Sequence, residues 1–282
     1  MLTGLITVLL SIVVVVSVLL VIGSVLCIGR GPLRELRADL KPRIRRAAPA
    51  IGLLVVVLVL NSLTRRTAQR LSWLIGFEIT DQIFRLEGTF VAWIQTFQTT
   101  ELTLYFSAVY VYGYAFLLVF PLLAYLALPE QRTLQELTIA YTANYALGLV
   151  CYLLFVAYGP RNLDIAEQLM YNVYPSSRLL TSAINTNTNV FPSLHTSLSV
   201  TVLLFAWRTR EAYPRWLAIA AVLATSVVIS TMYLGIHWAT DVVAGTVLAA
   251  VSVWIGVKSA DRWRETVTDA APRITGALRS RL

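Results

Sequence analysis

The apolar run over residues 217–257 is about twice the length that one helix needs to cross a bilayer, and His237 and Asp241 stand inside it. A run of that length folds as two helices with a break, and Gly235-Ile236-His237 is where the break is expected. Hydrocarbon penalises ionisable side chains, so a histidine and an aspartate four residues apart within such a run read as functional groups. Composition places the chain in the same class. It is 57% hydrophobic and only 13% charged, where a soluble domain is about a quarter charged. A soluble fold is excluded, and an integral membrane protein is expected.

Five further apolar runs occupy residues 2–28, 47–63, 102–128, 137–158 and 191–207. With the two halves of 217–257 they predict an all-α, polytopic helical bundle of about seven spans. The first run lacks a basic leader and exceeds a signal-peptide core, so it reads as a retained span. Seventeen of the 23 basic residues fall in segments 30–46, 129–136, 208–215 and 258–282. Such clusters mark cytoplasmic loops, which puts the N-terminus outside and the C-terminus inside. The formal charge of +8 is thereby accounted for without nucleic acid. In segment 64–101, Ile83, Phe84, Leu86, Phe90, Trp93, Ile94 and Phe97 recur at helical spacing, predicting an amphipathic helix that lies along the outer interface as a lid on the bundle. Three parts are expected: residues 1–101 with the first spans and this segment, 102–257 as the catalytic bundle, and 258–282 as a basic cytoplasmic tail. Cys27 and Cys151 read as small hydrophobes. Tyr105, Tyr110, Tyr112 and Tyr114 read as packing and interface residues, and Asn185, Asn187 and Asn189 as turn residues.

The only other histidine, His195, opens the run at 191–207, in Phe191-Pro192-Ser193-Leu194-His195. The predicted topology brings His195, His237 and Asp241 to one outer face of the membrane. That trio suits phosphoryl transfer. A nucleophilic imidazole has to be neutral and held in one tautomer, and a carboxylate on its far nitrogen does this. Asp241, one helical turn from His237, can supply it. A second, protonated histidine can act as general acid on the leaving oxygen, and His195 fits that role. Pro192-Ser193-Leu194-His195 reads as the first turn of a helix, where the backbone N–H of Leu194 and the hydroxyl of Ser193 can bind an anion. Cations for the phosphoryl oxygens would come from Arg161 and Arg178, since no lysine occurs between Lys41 and Lys258. A metal site built from His195, His237 and Asp241 is a competing reading of the same residues, although no H-E-x-x-H pairing is present.

The two stretches resemble the second and third signature motifs of the type 2 phosphatidic acid phosphatase superfamily, P-S-G-H and S-R-x5-H-x3-D. Here they read Pro192-Ser193-Leu194-His195 and Ser230-Thr231-x5-His237-x3-Asp241. The resemblance spans mainly residues 102–257 and implies a metal-independent mechanism through a phosphohistidine, with no cofactor. By it, His237 is the nucleophile, Asp241 its orienter, His195 the acid and then base, and Ser193 and Ser230 belong to the phosphate site. Three positions depart from the motifs. Thr231 replaces an arginine, Leu194 replaces a glycine, and the Lys-x6-Arg-Pro first motif is absent, with Gly159-Pro160-Arg161 standing about where it belongs. P-S-L-H together with Thr231-Met232-Tyr233-Leu234 is similar to the fungal inositol phosphorylceramide synthase branch, which transfers a phospho-headgroup between lipids. The expected partners are membrane lipids: a phospholipid or lipid phosphate substrate, and a lipid alcohol acceptor for a transferase. Hydrolysis of a lipid phosphate or pyrophosphate is the alternative reaction, and a non-catalytic membrane protein that keeps the fold is the alternative of another class.

Overall fold

A backbone in hydrocarbon has to satisfy its own N–H and C=O groups, so each long apolar run closes into a helix. The computed structural model describes residues 2–178 and 188–279. Its helices are α1 (Leu2–Gly23), α2 (Arg30–Ala38), α3 (Leu40–Ile75), α4 (Thr80–Glu87), α5 (Phe90–Gln95), α6 (Thr100–Ala108), α7 (Tyr114–Leu126), α8 (Arg132–Leu154), α9 (Leu169–Val173), α10 (Leu194–Arg208), α11 (Pro214–Tyr233) and α12 (Ala239–Arg279). A π-helical turn, Val109–Gly113, joins α6 to α7, so the two act as one span. The protein is an all-α polytopic membrane bundle.

Among the described residues, six helices are long and apolar enough to cross a membrane: Leu5–Ile28, Leu40–Thr64, Thr100–Leu126, Arg132–Leu154, Pro214–Tyr233 and Ala239–Ala260. The run expected as a further span is α10, and it has only 15 residues. At 1.5 Å per residue it is about 22 Å long, less than the roughly 30 Å of a hydrocarbon core. It packs against α8, α11 and α12, and Leu198, Val202, Phe205 and Ala206 are buried.

Two other expectations are corrected. The second span is not confined to 47–63, because α3 runs unbroken from Leu40 to Ile75 with Pro49 inside it. Segment 64–101 is not one amphipathic helix either. After α3 come a two-residue strand, Phe77–Glu78, then α4 and α5, separated at Gly88, whose φ of +56° lies in the region that side chains disfavour. The segment does pack on the bundle: Ile83 and Val91 are buried with Trp238, while Phe84, Leu86, Phe90, Trp93 and Phe97 stay exposed.

Several charges from the segments expected as loops lie in helices and hold those helices together. Nη1 of the buried Arg43 donates to the carbonyls of Leu126, Ala127 and Leu128 (3.1, 3.0 and 2.7 Å), closing the end of α7 where unpaired carbonyls attract a cation. Glu136, also buried, receives Arg132 at 2.7 Å and Arg208 at 3.0 Å, which ties α8 to the end of α10. Between these charges and the histidine end lies the main core, with Phe116, Phe120 and Trp216 in ring contact.

Helix α12 approaches its neighbours through glycines, as membrane helices do where backbones pack closely. A Cβ at Gly245 would lie 2.5 Å from the Ser193 carbonyl oxygen and 3.1 Å from the Thr196 Cβ. Gly245→Val therefore has to push the start of α10 away from α12. The expected cost is about 1–3 kcal/mol, read as a lower melting temperature of the detergent-solubilised protein. An unchanged melting temperature would contradict this packing.

Candidate active site

The break in the long apolar run falls where it was expected. Helix α11 ends at Tyr233 and α12 starts at Ala239. Gly235 has φ +69°, and a Cβ there would lie 2.8 Å from the Glu167 carbonyl oxygen, so this turn requires glycine. The N–H groups of Ile236 and His237 both donate to the Thr231 carbonyl at 3.0 Å, folding the loop back over the end of α11. His237 is held there, almost fully buried.

Asp241 lies in the first turn of α12 and does two things at once. Its Oδ2 accepts the Trp238 N–H at 2.9 Å, satisfying a donor at the helix start, and lies 3.3 Å from Nδ1 of His237. With Nδ1 turned to the carboxylate, the ring nitrogen left for chemistry is Nε2. Asp241 is fully buried, and among the described residues its Oδ1 has no hydrogen-bond partner.

The second motif is fastened to the third through the backbone. The Ser193 N–H donates to the Asp241 carbonyl at 3.0 Å. Ser193 is the N-cap of α10, with its hydroxyl accepting from the Thr196 N–H at 3.3 Å. Pro192 thus stands ahead of the cap and not within the first turn, where the sequence pattern had put it; its carbonyl accepts from the Tyr152 hydroxyl at 3.2 Å. Leu194 opens the helix and packs on Gly148 of α8. His195 follows, with its ring between those of Tyr110 (4.5 Å between centroids, stacked) and Tyr114 (4.4 Å). The His195 and His237 rings are 6.4 Å apart, about twice hydrogen-bond reach, so one reacting group can meet both.

The remaining candidates lie around this cluster. Arg161, in a short turn Pro160–Asn162, donates its N–H to the Gly235 carbonyl at 3.0 Å and is thus attached to the loop that carries His237. Its guanidinium lies 5.5 Å from the centre of the Tyr171 ring, and that of Arg178 lies 4.8 Å from the same ring. A cavity of about 540 Å³ opens beside Arg161, lined also by Gln98, Asp164, Glu167 and Asn172; neither histidine lines it. Ser230 is buried, with its hydroxyl donating to the Val227 carbonyl at 2.7 Å, and Thr231 does the same to Val228. The two strands Phe77–Glu78 and Phe155–Val156 pair in parallel, and Asn189 bridges to Ala157, strapping the surrounding loops. Asn185 and Asn187 lie outside the described residues. Among the described residues, no group of three or more His, Cys, Asp or Glu side chains gathers as a metal site would require.

Sequence reasoning did not select Tyr110, Tyr114 or Tyr152 for this site. Tyr110 and Tyr114 are one helical turn apart, a spacing that was visible, but nothing in their own stretch pointed to His195.

The PAP2 superfamily matches residues 83–255, more than half of the chain. The chain belongs to the PAP2 superfamily. No curated protein and no solved structure matches it. The PAP2 match takes in both histidine motifs and begins at 83, so it includes most of α4 and all of α5, which the sequence pattern had set outside the catalytic bundle. Within this PAP2 chain the hydroxyl of Ser193 already has a structural duty. Ser193→Ala is expected to destabilise the protein by about 1 kcal/mol through loss of the cap alone. Thermal unfolding checks this, and a melting temperature equal to wild type would show that the cap contributes nothing.

Proposed function

We propose that this PAP2-superfamily protein is a membrane-embedded phosphotransferase that acts on lipids at the outer leaflet through a phosphohistidine. The observation that supports it best is the buried His237–Asp241 pair, with Nδ1 turned to the carboxylate and the His195 ring 6.4 Å away. In the first step Nε2 of His237 attacks the phosphorus of the lipid. The N–P bond forms, the P–O bond to the leaving group breaks, and His195 gives its proton to the leaving oxygen. Asp241 stabilises the imidazolium that develops. In the second step an incoming hydroxyl loses its proton to His195 and attacks phosphorus, the N–P bond breaks, and free His237 returns. Arg161 supplies charge to the phosphoryl oxygens, and the start of α10 adds backbone donors at Leu194. Arg178, brought to Tyr171 beside Arg161, adds to the positive field that draws the substrate in.

Transfer of a phospho-headgroup is favoured over hydrolysis of a monoester by the cation count. Thr231 carries no charge and is folded back into its own helix. A phosphodiester bears less charge than a monoester dianion and needs fewer cations. The bands of basic residues support an orientation with the histidine end outside and the opposite end in the cytoplasm. The alternative reaction is hydrolysis of a lipid phosphate or pyrophosphate, with water as the incoming group at the same residues.

Purified protein given a phospholipid labelled in its headgroup, with and without a lipid alcohol such as ceramide or diacylglycerol, separates these. The expected result is label moving to the acceptor lipid. Release of the label only as a water-soluble phospho-headgroup, with no labelled acceptor lipid, would refute transfer. In the same assay His237→Ala should lower the rate by roughly a thousandfold or more, and His195→Ala by about 100- to 10,000-fold. Absence of any turnover in the wild-type protein, with a cellular phenotype that His237→Ala leaves unchanged, would favour a non-catalytic protein that keeps the fold.

A further inference from the structure

Only five residues, Leu234 to Trp238, separate α11 from α12, and His237 is one of them. Both ends of this loop are held by side chains from one segment outside the six full-length spans. At the far end, the carboxylate of Glu87 accepts the first N–H groups of α12: Oε2 receives Ala239 N–H at 2.8 Å and Oε1 receives Thr240 N–H. At the near end, Nε2 of Gln95 donates to the carbonyl of Tyr233 at 2.9 Å, the last residue of α11. Gln95 is buried, and its other bonds go to Glu167: Nε2 to the carbonyl at 3.0 Å, and Oε1 from the N–H at 2.7 Å. Between these two grips, Ile83 and Val91 pack on Trp238, whose indole N–H donates to the Tyr158 carbonyl at 2.8 Å.

The geometry points to Glu87 and Gln95 as positioning residues that set the His237 imidazole from the two ends of its loop. This rests on the reading of His237 as the nucleophile. Each grip acts on backbone within four residues of His237, and neither side chain is hydrogen-bonded to the ring. Glu87 fixes where α12 begins, and hence where Asp241 stands relative to Nδ1. Its negative charge at a helix start also opposes fraying of the turn that contains Asp241. Gln95 fixes where α11 stops, and through Glu167 it holds the loop that packs on Gly235. Gly88, with φ +56°, turns the chain so that one short segment can reach both places.

The test uses the full chain in lipid nanodiscs with isotope-labelled histidine. The protein has two histidines, so His195 serves as an internal control for folding. Wild type should show His237 in a single tautomer. Glu87→Ala and Gln95→Ala should each convert the His237 signal to an averaged tautomer pattern while the His195 signal stays in place. Glu87→Gln, which keeps one acceptor oxygen, should fall between Glu87→Ala and wild type; it is also the milder variant if Glu87→Ala fails to fold. In the phosphotransfer assay, Glu87→Ala should lower kcat by about 100-fold, the cost of a displacement on the order of 1 Å, with KM nearly unchanged. An unchanged His237 signal in folded Glu87→Gln and Gln95→Ala would overturn the proposal. Failure of the nucleophile reading looks different: His237→Ala would keep wild-type turnover, whatever the His237 signal does in the other variants.

Discussion

A helix interrupted inside a hydrophobic run exposes backbone donors and acceptors that hydrocarbon cannot satisfy, and the protein has to supply partners for them. At the break between α11 and α12 it does so at nearly every position. The Tyr233 carbonyl is met by Gln95, the Gly235 carbonyl by the Arg161 N–H, and the N–H groups of Ile236 and His237 by the Thr231 carbonyl. The Trp238 N–H goes to Asp241, and those of Ala239 and Thr240 go to Glu87. Three of the partners, Glu87, Gln95 and Arg161, come from distant parts of the chain, so closing the break also draws the surrounding segments together. His237 stands where these requirements converge.

The same accounting explains why the cluster can be both buried and polar. Asp241 caps a helix through Oδ2 and meets His237 with the same atom, so its buried charge has hydrogen-bond donors on one side. The Ser193 N–H to the Asp241 carbonyl joins α10 to α12, and Gly245 lets the two backbones approach closely enough for that bond. His195 is then placed by the second residue of a capped helix and by two flanking tyrosine rings. The positive charge at this end is more sparingly provided. Thr231 is uncharged, and Arg161 is attached by its backbone to the loop that carries His237, while Arg178 shares the Tyr171 ring with it.

Much of this was legible in the sequence. Hydropathy located the helical runs, and the excess length of 217–257 located the break, because both follow from the thickness of a bilayer. His195, Ser193, His237 and Asp241, which the predicted topology put at one membrane face, lie close together. What escaped were features set by side chains meeting across the fold. Glu87 sits in a mixed segment with no distinguishing pattern, and its partner N–H groups are about 150 residues away. Gly88 breaks the helical periodicity of 83–97 into two helices, which a count of apolar residues could not detect. The shortness of α10 was hidden because burial between three helices replaces the length that lipid contact would demand. Arg43 and Glu136 looked like loop charges, and only their burial shows that they close helix ends and join helices.

The central claim is that His237 bonds covalently to phosphorus while His195 only handles protons. The most direct measurement is to quench the protein rapidly during turnover of a phosphate-labelled phospholipid, digest it under alkaline conditions that preserve phosphohistidine, and locate the label by mass spectrometry. The account predicts label on His237, none in His237→Ala, and slower labelling at the same position in His195→Ala. Label on His195, or turnover at the wild-type rate with neither histidine labelled, would contradict it.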